Sequence, residues 1–316
     1  MKSSHALIYN NLSLMLAAGL PMLRSLTVAV SGMKGRLPDA FEALAKGVSS
    51  GEGLAETMAR YPKVFNQIDV LVVGAGDKSG NLPECLKLLS DWHAFCGRLR
   101  RIFVSGMMLP LMLIFLVAIL DPAPALFFGR INMAQYLFRV VAILALFLSP
   151  AAVIFAIVRL TPKRGFLRKG LDGLTLRIPV LGKAVLQLAL SRYCHVFYML
   201  FKGGVPIVQC AKKASEHTGN AIVTGMLAGG AESALAGNLV SEGFSGQLPQ
   251  EFINRWQIGE ETGELDNVVG RLAKNSSETA ERILAELGKW IPRLIWWLVG
   301  CFIVASIFRN AAMFLS

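Results

Sequence analysis

The chain has 316 residues and a net charge of +11, and 54% of its residues are hydrophobic while only 17% are charged, against about 25% charged in a soluble domain of average composition. These figures exclude a disordered chain, a collagen and a disulfide scaffold. An apolar chain with an excess of Lys and Arg is instead typical of a membrane protein whose cytoplasmic segments are basic.

The first predicted element is an amphipathic helix that ends at Gly19-Leu20-Pro21. Its apolar face follows the spacing i, i+4, i+7, i+8 and consists of Ile8, Leu12, Met15 and Leu16. Gly19 ends a helix and Pro21 starts the next one, as these two residue types often do. Lys2 and the apolar residues after it also resemble a signal peptide, an alternative that the repeat described below disfavours.

The remainder of residues 1–101 is predicted to be helical, because no alternating strand pattern occurs in it. We expect helices over Leu37–Lys46, Leu54–Arg60 and Gln67–Ala75. A loop follows, with the sequence Gly76-Asp77-Lys78-Ser79-Gly80-Asn81-Leu82. Glycine at both ends of this loop permits positive φ and close helix approach. Asn81 and Glu84 have the spacing of a capping box for the next helix.

That next helix is predicted to run from about Leu82 to Leu120, some 58 Å at 1.5 Å per residue. Its part at 102–120 contains no charged residue. The length of this part is close to the roughly 20 apolar residues that are needed to cross a bilayer. Three basic residues precede this part: Arg98, Arg100 and Arg101. We therefore predict the first transmembrane helix at 102–120.

A short connector at 121–139 separates this span from a second one at 140–158. The second span is followed by Arg159, Lys163 and Arg164, whereas the connector carries little charge. Basic flanks stay in the cytoplasm, so the connector is expected in the periplasm and both long polar regions in the cytoplasm. The basic residues act as a topology signal or, alternatively, attract anionic lipid.

Residues 159–290 repeat the pattern of residues 1–101. Gly204-Val205-Pro206 matches Gly19-Leu20-Pro21 at an offset of 185. The apolar helix face that precedes it is formed by Tyr193, Phe197, Leu200 and Phe201. Because this copy lies inside the chain, it cannot be a signal peptide, and the first copy is better interpreted as the same helix. Gly204 and Pro206 are therefore also predicted helix boundaries.

The loop recurs as Gly259-Glu260-Glu261-Thr262-Gly263-Glu264-Leu265, and both copies fit the pattern G-[DE]-x-[ST]-G-x-L. A third span is predicted at 291–309, followed by a periplasmic tail at 310–316. Its apolar run is short, but flanking Arg and Trp side chains suit a membrane interface. The alternative is that all three apolar segments are buried helices of a soluble protein, although charge-free runs of this length disfavour it.

These elements predict an all-α membrane protein with two homologous cytoplasmic helical-bundle domains and three transmembrane helices. No P-loop, zinc-protease, nucleophile-elbow or dinucleotide motif occurs in the sequence, and we expect no cofactor and no metal site. The five cysteines are expected to be reduced and mostly buried. Cys194 and His195 are interpreted as neighbours on a helix surface, the alternative being a catalytic pair. The basic residues lack the aromatic interleaving of a nucleic-acid binder.

The duplicated domain, the glycine loop in each copy and the order domain, span, span, domain, span resemble one family. It is the GspF/PilC family of inner-membrane platform proteins of type II secretion and type IV pilus systems. The second loop matches the usual family pattern, and the first has Asp77 where Glu is usual. The short N-terminal region resembles the type IVb or conjugative thin-pilus branch. The resemblance covers nearly the whole chain.

The resemblance implies a protein without catalytic activity in the bacterial inner membrane. It implies as partners a cytoplasmic hexameric assembly ATPase, pilin or pseudopilin subunits, other inner-membrane assembly proteins, lipid and further copies of the chain, but no nucleic acid. Candidate partner contacts are Asp77, Lys78, Glu260 and Glu261, although the acidic ones can equally cap helices. Gly76, Gly80, Gly259 and Gly263 are expected to shape the loops. The alternatives are a membrane-anchored enzyme, a sensor or a small transport component.

Overall fold

The computed structural model describes residues 2–32, 36–160 and 166–315, and these contain helices and no strand. The all-α prediction is confirmed. The first repeat consists of α1 (Lys2–Ala17), α2 (Met22–Ala29), α3 (Arg36–Ser49), α4 (Leu54–Ala59), α5 (Gln67–Ser79) and α6 (Leu82–Leu120). Two helices follow, α7 (Ala123–Phe127) and α8 (Met133–Leu160). The second half contains α9 (Phe166–Arg177), α10 (Pro179–Lys202), α11 (Ile207–Glu216), α12 (Ala221–Leu235), a 3₁₀ helix (Val240–Gly243), α13 (Gln250–Glu261) and α14 (Leu265–Leu315).

The two repeats have the same order of helices. Helices α2 and α11 begin 185 residues apart, and so do α3 and α12. Helices α5 and α13 begin 183 residues apart, as do α6 and α14. Helix α1 corresponds to α10, and α4 corresponds to the 3₁₀ helix. The predicted duplication thus holds at the level of individual helices.

The chain forms two compact units. The first, which we call the repeat unit, comprises residues 1–99 and 172–281. The second, the apolar unit, comprises residues 100–171 and 282–316.

Each repeat has its own core. In the first repeat, the buried rings of Tyr9, Phe41 and Phe65 make edge contacts, with centroids 6.3 and 5.4 Å apart along the series. In the second repeat, the buried Trp256 is surrounded by four aromatic rings at 4.9–5.8 Å: Tyr193, Phe197, Phe244 and Phe252. Edge and tilted ring packing of this kind adds about 0.5–1.5 kcal/mol per pair to the burial of apolar area.

The apolar unit is built from the last part of α6, α8 and the last part of α14. Its small core consists of Ile114, Val117 and Val299, with Leu144 and Phe147 of α8 packed against it. A methyl group built on Gly106 would lie 3.4 Å from the carbonyl oxygen of Gly288, so the backbones approach closely where small residues allow it. Large side chains on the outside are exposed, among them Met108, Met112, Phe138 and Trp297. An outer surface this apolar is typical of a bundle that lies in lipid.

Among the residues that the structure describes, three helical stretches are long and apolar enough to cross a membrane: Leu82–Phe127, Val180–Lys202 and Leu265–Val304. The stretch Val180–Lys202 is part of α10, and 56% of its most apolar 18 residues are buried. The corresponding buried share is 24% in Leu82–Phe127 and 7% in Leu265–Val304. We therefore assign α10 to the interior of the repeat unit. Helix α8 contributes the shorter apolar stretch Met133–Ser149. The stretch Met133–Ser149 contains the first part of the predicted second span, 140–158. Several side chains beyond Ser149 are outside the part of the chain that the structure describes.

Candidate functional site: the glycine turns and the contact between the repeats

The two glycine motifs form equivalent turns between a shorter helix and a long one. Gly80 separates α5 from α6, and Gly263 separates α13 from α14; both have φ of +72°. This left-handed conformation is accessible to glycine at little cost. The long helices therefore start from identical turns in the two repeats.

The first glycine of each motif has a different role from the second. Gly76 and Gly259 lie inside the last turns of α5 and α13, and neither residue has a positive φ. A methyl group on Gly76 would lie 2.8 Å from Cβ of Cys85, and one on Gly259 would lie 2.9 Å from Cβ of Val268. These glycines allow the two helices of each pair to pack closely. The expectation of positive φ at both ends of the loop therefore holds only for the second glycine.

The turns at Gly19 and Gly204 are also equivalent, with φ of +80° and +77°. After each, the backbone N–H of the next residue bonds five residues back, from Leu20 to Met15 and from Val205 to Leu200. This pattern is that of a Schellman helix end. Pro21 and Pro206 then occupy the positions immediately before α2 and α11.

The candidate partner-contact residues divide into two groups. Asp77, Lys78 and Glu261 are exposed in the last turns of α5 and α13. Glu260 instead points into the second repeat. Its carboxylate accepts hydrogen bonds from Val240 N at 2.7 Å, Ser241 N at 3.0 Å and Ser241 Oγ at 2.6 Å.

These bonds cap the 3₁₀ helix at Val240–Gly243. The carboxylate satisfies backbone N–H groups that would otherwise lack partners at a helix start. Of the two roles that the sequence leaves open for acidic residues, Glu260 therefore fulfils helix capping. Asp77, its counterpart in the first repeat, is exposed.

Asn81 and Glu84 pair through their side chains, with Nδ2 of Asn81 donating to Oε2 of Glu84 at 2.7 Å. The Asn81 amide also donates to the carbonyl oxygen of Lys202 at 3.3 Å.

The two repeats contact each other through α10. The His195 ring lies 5.2 Å from Trp92 and is stacked 5.8 Å from Phe95, both on α6. A methyl group on Gly203 would come within 2.8 Å of Cβ of Ala75 on α5. Helix α10 thus packs against the α5–α6 pair of the first repeat.

His195 and Cys194 do not form a catalytic pair in this environment. The ring nitrogen Nδ1 of His195 lies 2.8 Å from the carbonyl oxygen of Ser191, and burial lowers the pKa of the imidazole. Burial raises the pKa of the Cys194 thiol, which opposes formation of a nucleophilic thiolate. The interpretation as neighbours with separate structural roles is the one that fits the geometry.

The five cysteines are expected to be mostly buried, and three of them are. Cys85, Cys194 and Cys210 are buried, Cys96 is half-buried and Cys301 is exposed, and none of these five described cysteines forms a disulfide. Burial raises the pKa of Cys85 to about 11 and that of Cys210 to about 12. In the part of the chain that the structure describes, no group of three His, Cys, Asp or Glu side chains could hold a metal ion.

A groove of about 360 Å³ lies between α6, α10 and α14 in the repeat unit. Charged side chains of both signs line it: Asp91, Arg98, Lys274, Glu278 and Glu281. The Arg98 guanidinium, at Nε, donates to Glu281 at 2.9 Å, so these two charges pair with each other. Arg98 and Glu281 stand 183 residues apart, which places them at equivalent positions of α6 and α14.

An ion pair joins the end of α10 to the start of α14. Lys202 Nζ lies 2.9 Å from Asp266 Oδ2. This hydrogen bond raises the pKa of Lys202 and lowers that of Asp266. Since both side chains are about a third exposed, water screens the pair and its contribution to stability is small.

A buried polar cluster in the first repeat was not foreseen from the sequence. Asp69 Oδ1 lies 2.9 Å from His93 Nε2, and both residues are buried. Asp69 Oδ2 also accepts the backbone N–H of Asn66 at 3.1 Å. The His5 ring is stacked on His93 at 5.2 Å, and burial together with Asp69 raises the pKa of Tyr9. We call His5, Tyr9, Asp69 and His93 the polar cluster.

The membrane-flanking basic residues are only partly described. Arg100 and Arg101 are exposed, as is Arg98. Arg159 lies in the last turn of α8, with its side chain outside the described set, and Lys163 and Arg164 lie outside the described residues.

The sequence model of the family described as Type II secretion system (T2SS), protein F, matches residues 8–128 and 193–308. Among similar proteins, the type IV pilus assembly protein PilC of Pseudomonas aeruginosa is 23% identical, over 93% of this chain and 84% of that protein. The type II secretion system protein F of Vibrio cholerae is 25% identical, over 93% and 78%. PilC of Thermus thermophilus is 26% identical, over 96% and 80%. The two matched segments fall on the two repeats and make up more than half of the chain, which therefore belongs to the family of type II secretion system protein F.

Proposed function

We propose that this chain is a non-enzymatic platform in the bacterial inner membrane. It couples a cytoplasmic hexameric assembly ATPase to the extraction of pilin or pseudopilin subunits from the bilayer, and so to filament assembly in a type IV pilus or type II secretion system. The observation that carries the proposal is the family match over both repeats. The relatives named above are pilus assembly and secretion proteins.

The helices support a mechanical role. Both α6 and α14 begin at a glycine turn in the repeat unit and end in the apolar unit. A continuous helix is a stiff connection, and each one joins a polar domain to a segment suited to lipid. Because the sequence contains no nucleotide-binding motif, the energy for movement comes from a partner, for which an assembly ATPase is the proposed source.

The proposed orientation places residues 1–101 and 159–290 in the cytoplasm and the spans at 102–120, 140–158 and 291–309. The connector at 121–139 and the tail at 310–316 then lie in the periplasm. The basic residues beside the first span favour this orientation, because positive charge stays inside.

Labelling of a cysteine at the connector tests the orientation. In a variant with Cys301→Ser, a cysteine that replaces the exposed Asn132 is expected to react with an impermeant maleimide added outside spheroplasts. A cysteine that replaces the exposed Glu216 of the second repeat is the control and should react only after permeabilisation. The reverse pattern would overturn the orientation.

Reversal of the exposed acidic charges beside the glycine turns tests the coupling. We expect Asp77→Lys with Glu261→Lys to abolish filament assembly or secretion in a deletion strain that the unchanged gene restores. Both residues lie in the last turn of a helix, where a basic side chain is favoured by the helix dipole, so the amount of membrane-inserted protein should not fall. Contact with the ATPase is measured by a photo-crosslinking residue at position 261.

Glu216→Lys is the matched control, since Glu216 is an exposed acidic residue elsewhere on the second repeat. It should leave assembly and cross-linking unchanged. Normal assembly in the Asp77→Lys, Glu261→Lys variant would remove these two residues from the mechanism. A deletion strain with normal filaments and secretion would overturn the platform function itself.

A further inference from the structure

The last part of α14 has an apolar notch on its exposed side. A recess of about 540 Å³ lies there, and its walls are almost wholly apolar. A methyl group on Gly300 would meet no atom within 4 Å, so this glycine leaves a gap between larger side chains. Trp297 and Val304, on either side of the gap, are 77% and 52% exposed. We call this recess the α14 notch, and it is lined by Trp296, Trp297, Gly300, Cys301 and Val304.

Two cations lie in line with the notch. Arg293 is one helical turn before Trp297 and two turns before Gly300, which places all three on the same side of α14. Lys289 is one further turn before Arg293. Both basic side chains are exposed, and the Arg293 guanidinium lies 5.2 Å from the centre of the Trp290 ring. This side of α14 thus has a positive end and an apolar end.

Helices α6 and α14 run side by side in the apolar unit. Gly288 lies against Gly106, and further along the pair Val299 shares a core with Ile114 and Val117. Both contacts give the same register, in which a residue of α14 lies level with the residue of α6 that is about 182 positions earlier. Depth in the bilayer can therefore be compared between the two helices.

Arg293 lies at a depth where α6 is apolar. It is level with Leu111, which is ten residues beyond Arg101, or about 15 Å along the helix axis. Near this level of α6, Met108 is 75% exposed and Met112 is 74% exposed. A basic side chain can extend toward the headgroups by only part of this distance. A charge among acyl chains is costly unless an anion meets it.

The apolar unit has few anions of its own. Its two segments, residues 100–171 and 282–316, contain two acidic side chains, Asp121 and Glu286. Asp121 lies just beyond the end of α6, and Glu286 is two turns before Arg293. Among the described residues, neither carboxylate forms an ion pair with Arg293, whose contact is with Trp290. An anion for Arg293 therefore has to come from outside the chain.

We propose that the α14 notch, with Lys289 and Arg293 beside it, binds one anionic phospholipid. The phosphate pairs with the two cations next to Trp290, and an acyl chain runs along Trp297 into the gap at Gly300. From Arg293 to Gly300 the distance along the helix axis is about 10 Å, which an acyl chain spans. The proposal rests on the apolar unit alone and does not depend on the proposed function.

The charges favour this occupant over two others. A zwitterionic lipid would bring its own cation to Lys289 and Arg293, whereas an anionic headgroup is attracted by both. A membrane helix would suit the notch, but it would have to carry a carboxylate inside the bilayer, where such residues are rare.

Quenching of tryptophan fluorescence by brominated lipids tests the proposal. Bromine on an acyl chain quenches a tryptophan that it touches, and the two tryptophans of the repeat unit, Trp92 and Trp256, are buried. The full-length protein is placed in nanodiscs of phosphatidylcholine that contain a rising share of brominated phosphatidylglycerol or, separately, of brominated phosphatidylcholine. The anionic lipid is expected to quench with an apparent affinity about tenfold higher. The signal comes from the tryptophans at the site, which are Trp290, Trp296 and Trp297.

Three variants separate the site from general attraction. Lys289→Gln with Arg293→Gln is expected to lower the ratio of the two affinities to about one. Arg293→Lys keeps the charge and is expected to keep most of the preference. Arg100→Gln with Arg101→Gln removes as much charge from α6, at positions that helix geometry turns away from α14, and is expected to leave the ratio within about twofold. All four side chains are exposed, so the replacements do not disturb the core.

Other outcomes of the quenching measurement overturn the proposal. Equal quenching by the two lipids in the unchanged protein would make the notch an ordinary lipid-facing surface. A preference that survives Lys289→Gln with Arg293→Gln would place the anionic lipid elsewhere. An equal loss in the variant with Arg100→Gln and Arg101→Gln would mean attraction to the basic end of the apolar unit as a whole.

The occupant in the cell membrane is identified with a photoreactive maleimide on Cys301, which is exposed in the notch. A Cys96→Ser background keeps the reagent at this position, because the other cysteines are buried. A lipid adduct is expected. A polypeptide adduct in its place would mean that a membrane helix fills the notch. Filament assembly is not a readout here, so failure leaves the proposed function untouched.

Discussion

Replacement of Asp69 by alanine is expected to lower the free energy of unfolding by about 2–4 kcal/mol, because two groups lose their hydrogen-bond partner and a buried polar group left unsatisfied costs about 1–3 kcal/mol. The carboxylate contacts His93 at 2.9 Å and the backbone N–H of Asn66 at 3.1 Å, and both lose their acceptor. His93 would stay buried beside His5 without a polar partner at that position. The measurement is thermal unfolding of the purified full-length protein in detergent, followed by tryptophan fluorescence.

Two variants serve as controls for Asp69. Asp69→Asn keeps one acceptor oxygen and is expected to lose about half as much, since a neutral hydrogen bond contributes roughly 1 kcal/mol. Asp91→Ala removes an exposed carboxylate that pairs with Lys87 on the same helix at 3.5 Å, and a change below about 0.5 kcal/mol is expected. If Asp69→Ala shifted the transition no more than Asp91→Ala, the polar cluster would not hold the first repeat together.

Replacement of Glu260 by alanine is expected to cost about 2–4 kcal/mol, because two backbone N–H groups and one hydroxyl lose a charged acceptor. These groups belong to Val240 and Ser241 at the start of the 3₁₀ helix. That helix packs against α12, where a methyl group on Gly229 or Gly230 would collide with it. The loss should appear in the same unfolding measurement and as a lower amount of protein in the membrane.

Glu261→Ala is the matched control for Glu260. Glu261 is the next residue along α13, and its exposed carboxylate accepts a hydrogen bond from Gln257 on the same helix. Its removal is expected to change stability by less than about 0.5 kcal/mol. Glu260→Gln should fall between the two, because one amide oxygen can still accept. Equal effects at both positions would show that the capping bonds contribute little.

Much of the fold could be predicted from local sequence signals. Helix α6 has the predicted bounds, Leu82 to Leu120, because a glycine turn before it and a proline after the last apolar residue mark both ends. The duplication could be predicted because the glycines that shape each turn leave a pattern readable at a fixed offset. Helix α5 extends to Ser79, beyond the predicted Ala75, because the first glycine of the motif serves close packing and does not interrupt the helix.

The long-range contacts could not be predicted. Asp69 and His93 lie 24 residues apart on different helices, and nothing in their local sequence pairs them. The role of Glu260 depends on a 3₁₀ helix about 20 residues earlier, so its sequence context indicates only an acidic residue near a helix end. The burial of α10 results from its packing against the core of the second repeat on one face and against the first repeat on the other. An apolar stretch in the sequence does not by itself distinguish such a buried helix from a membrane span.

The polar cluster of the first repeat has no counterpart at the equivalent positions of the second repeat. Asp69 and His93 correspond to Phe252 and Ser276 of the second repeat, where aromatic rings fill the interior instead. A chimera that moved only His93 into the second repeat would bury an imidazole beside phenylalanine with no carboxylate to meet it. The two repeats have the same order of helices, but one interior contains a polar cluster and the other contains packed aromatic rings. Interior residues could therefore be exchanged between the repeats only in matched sets.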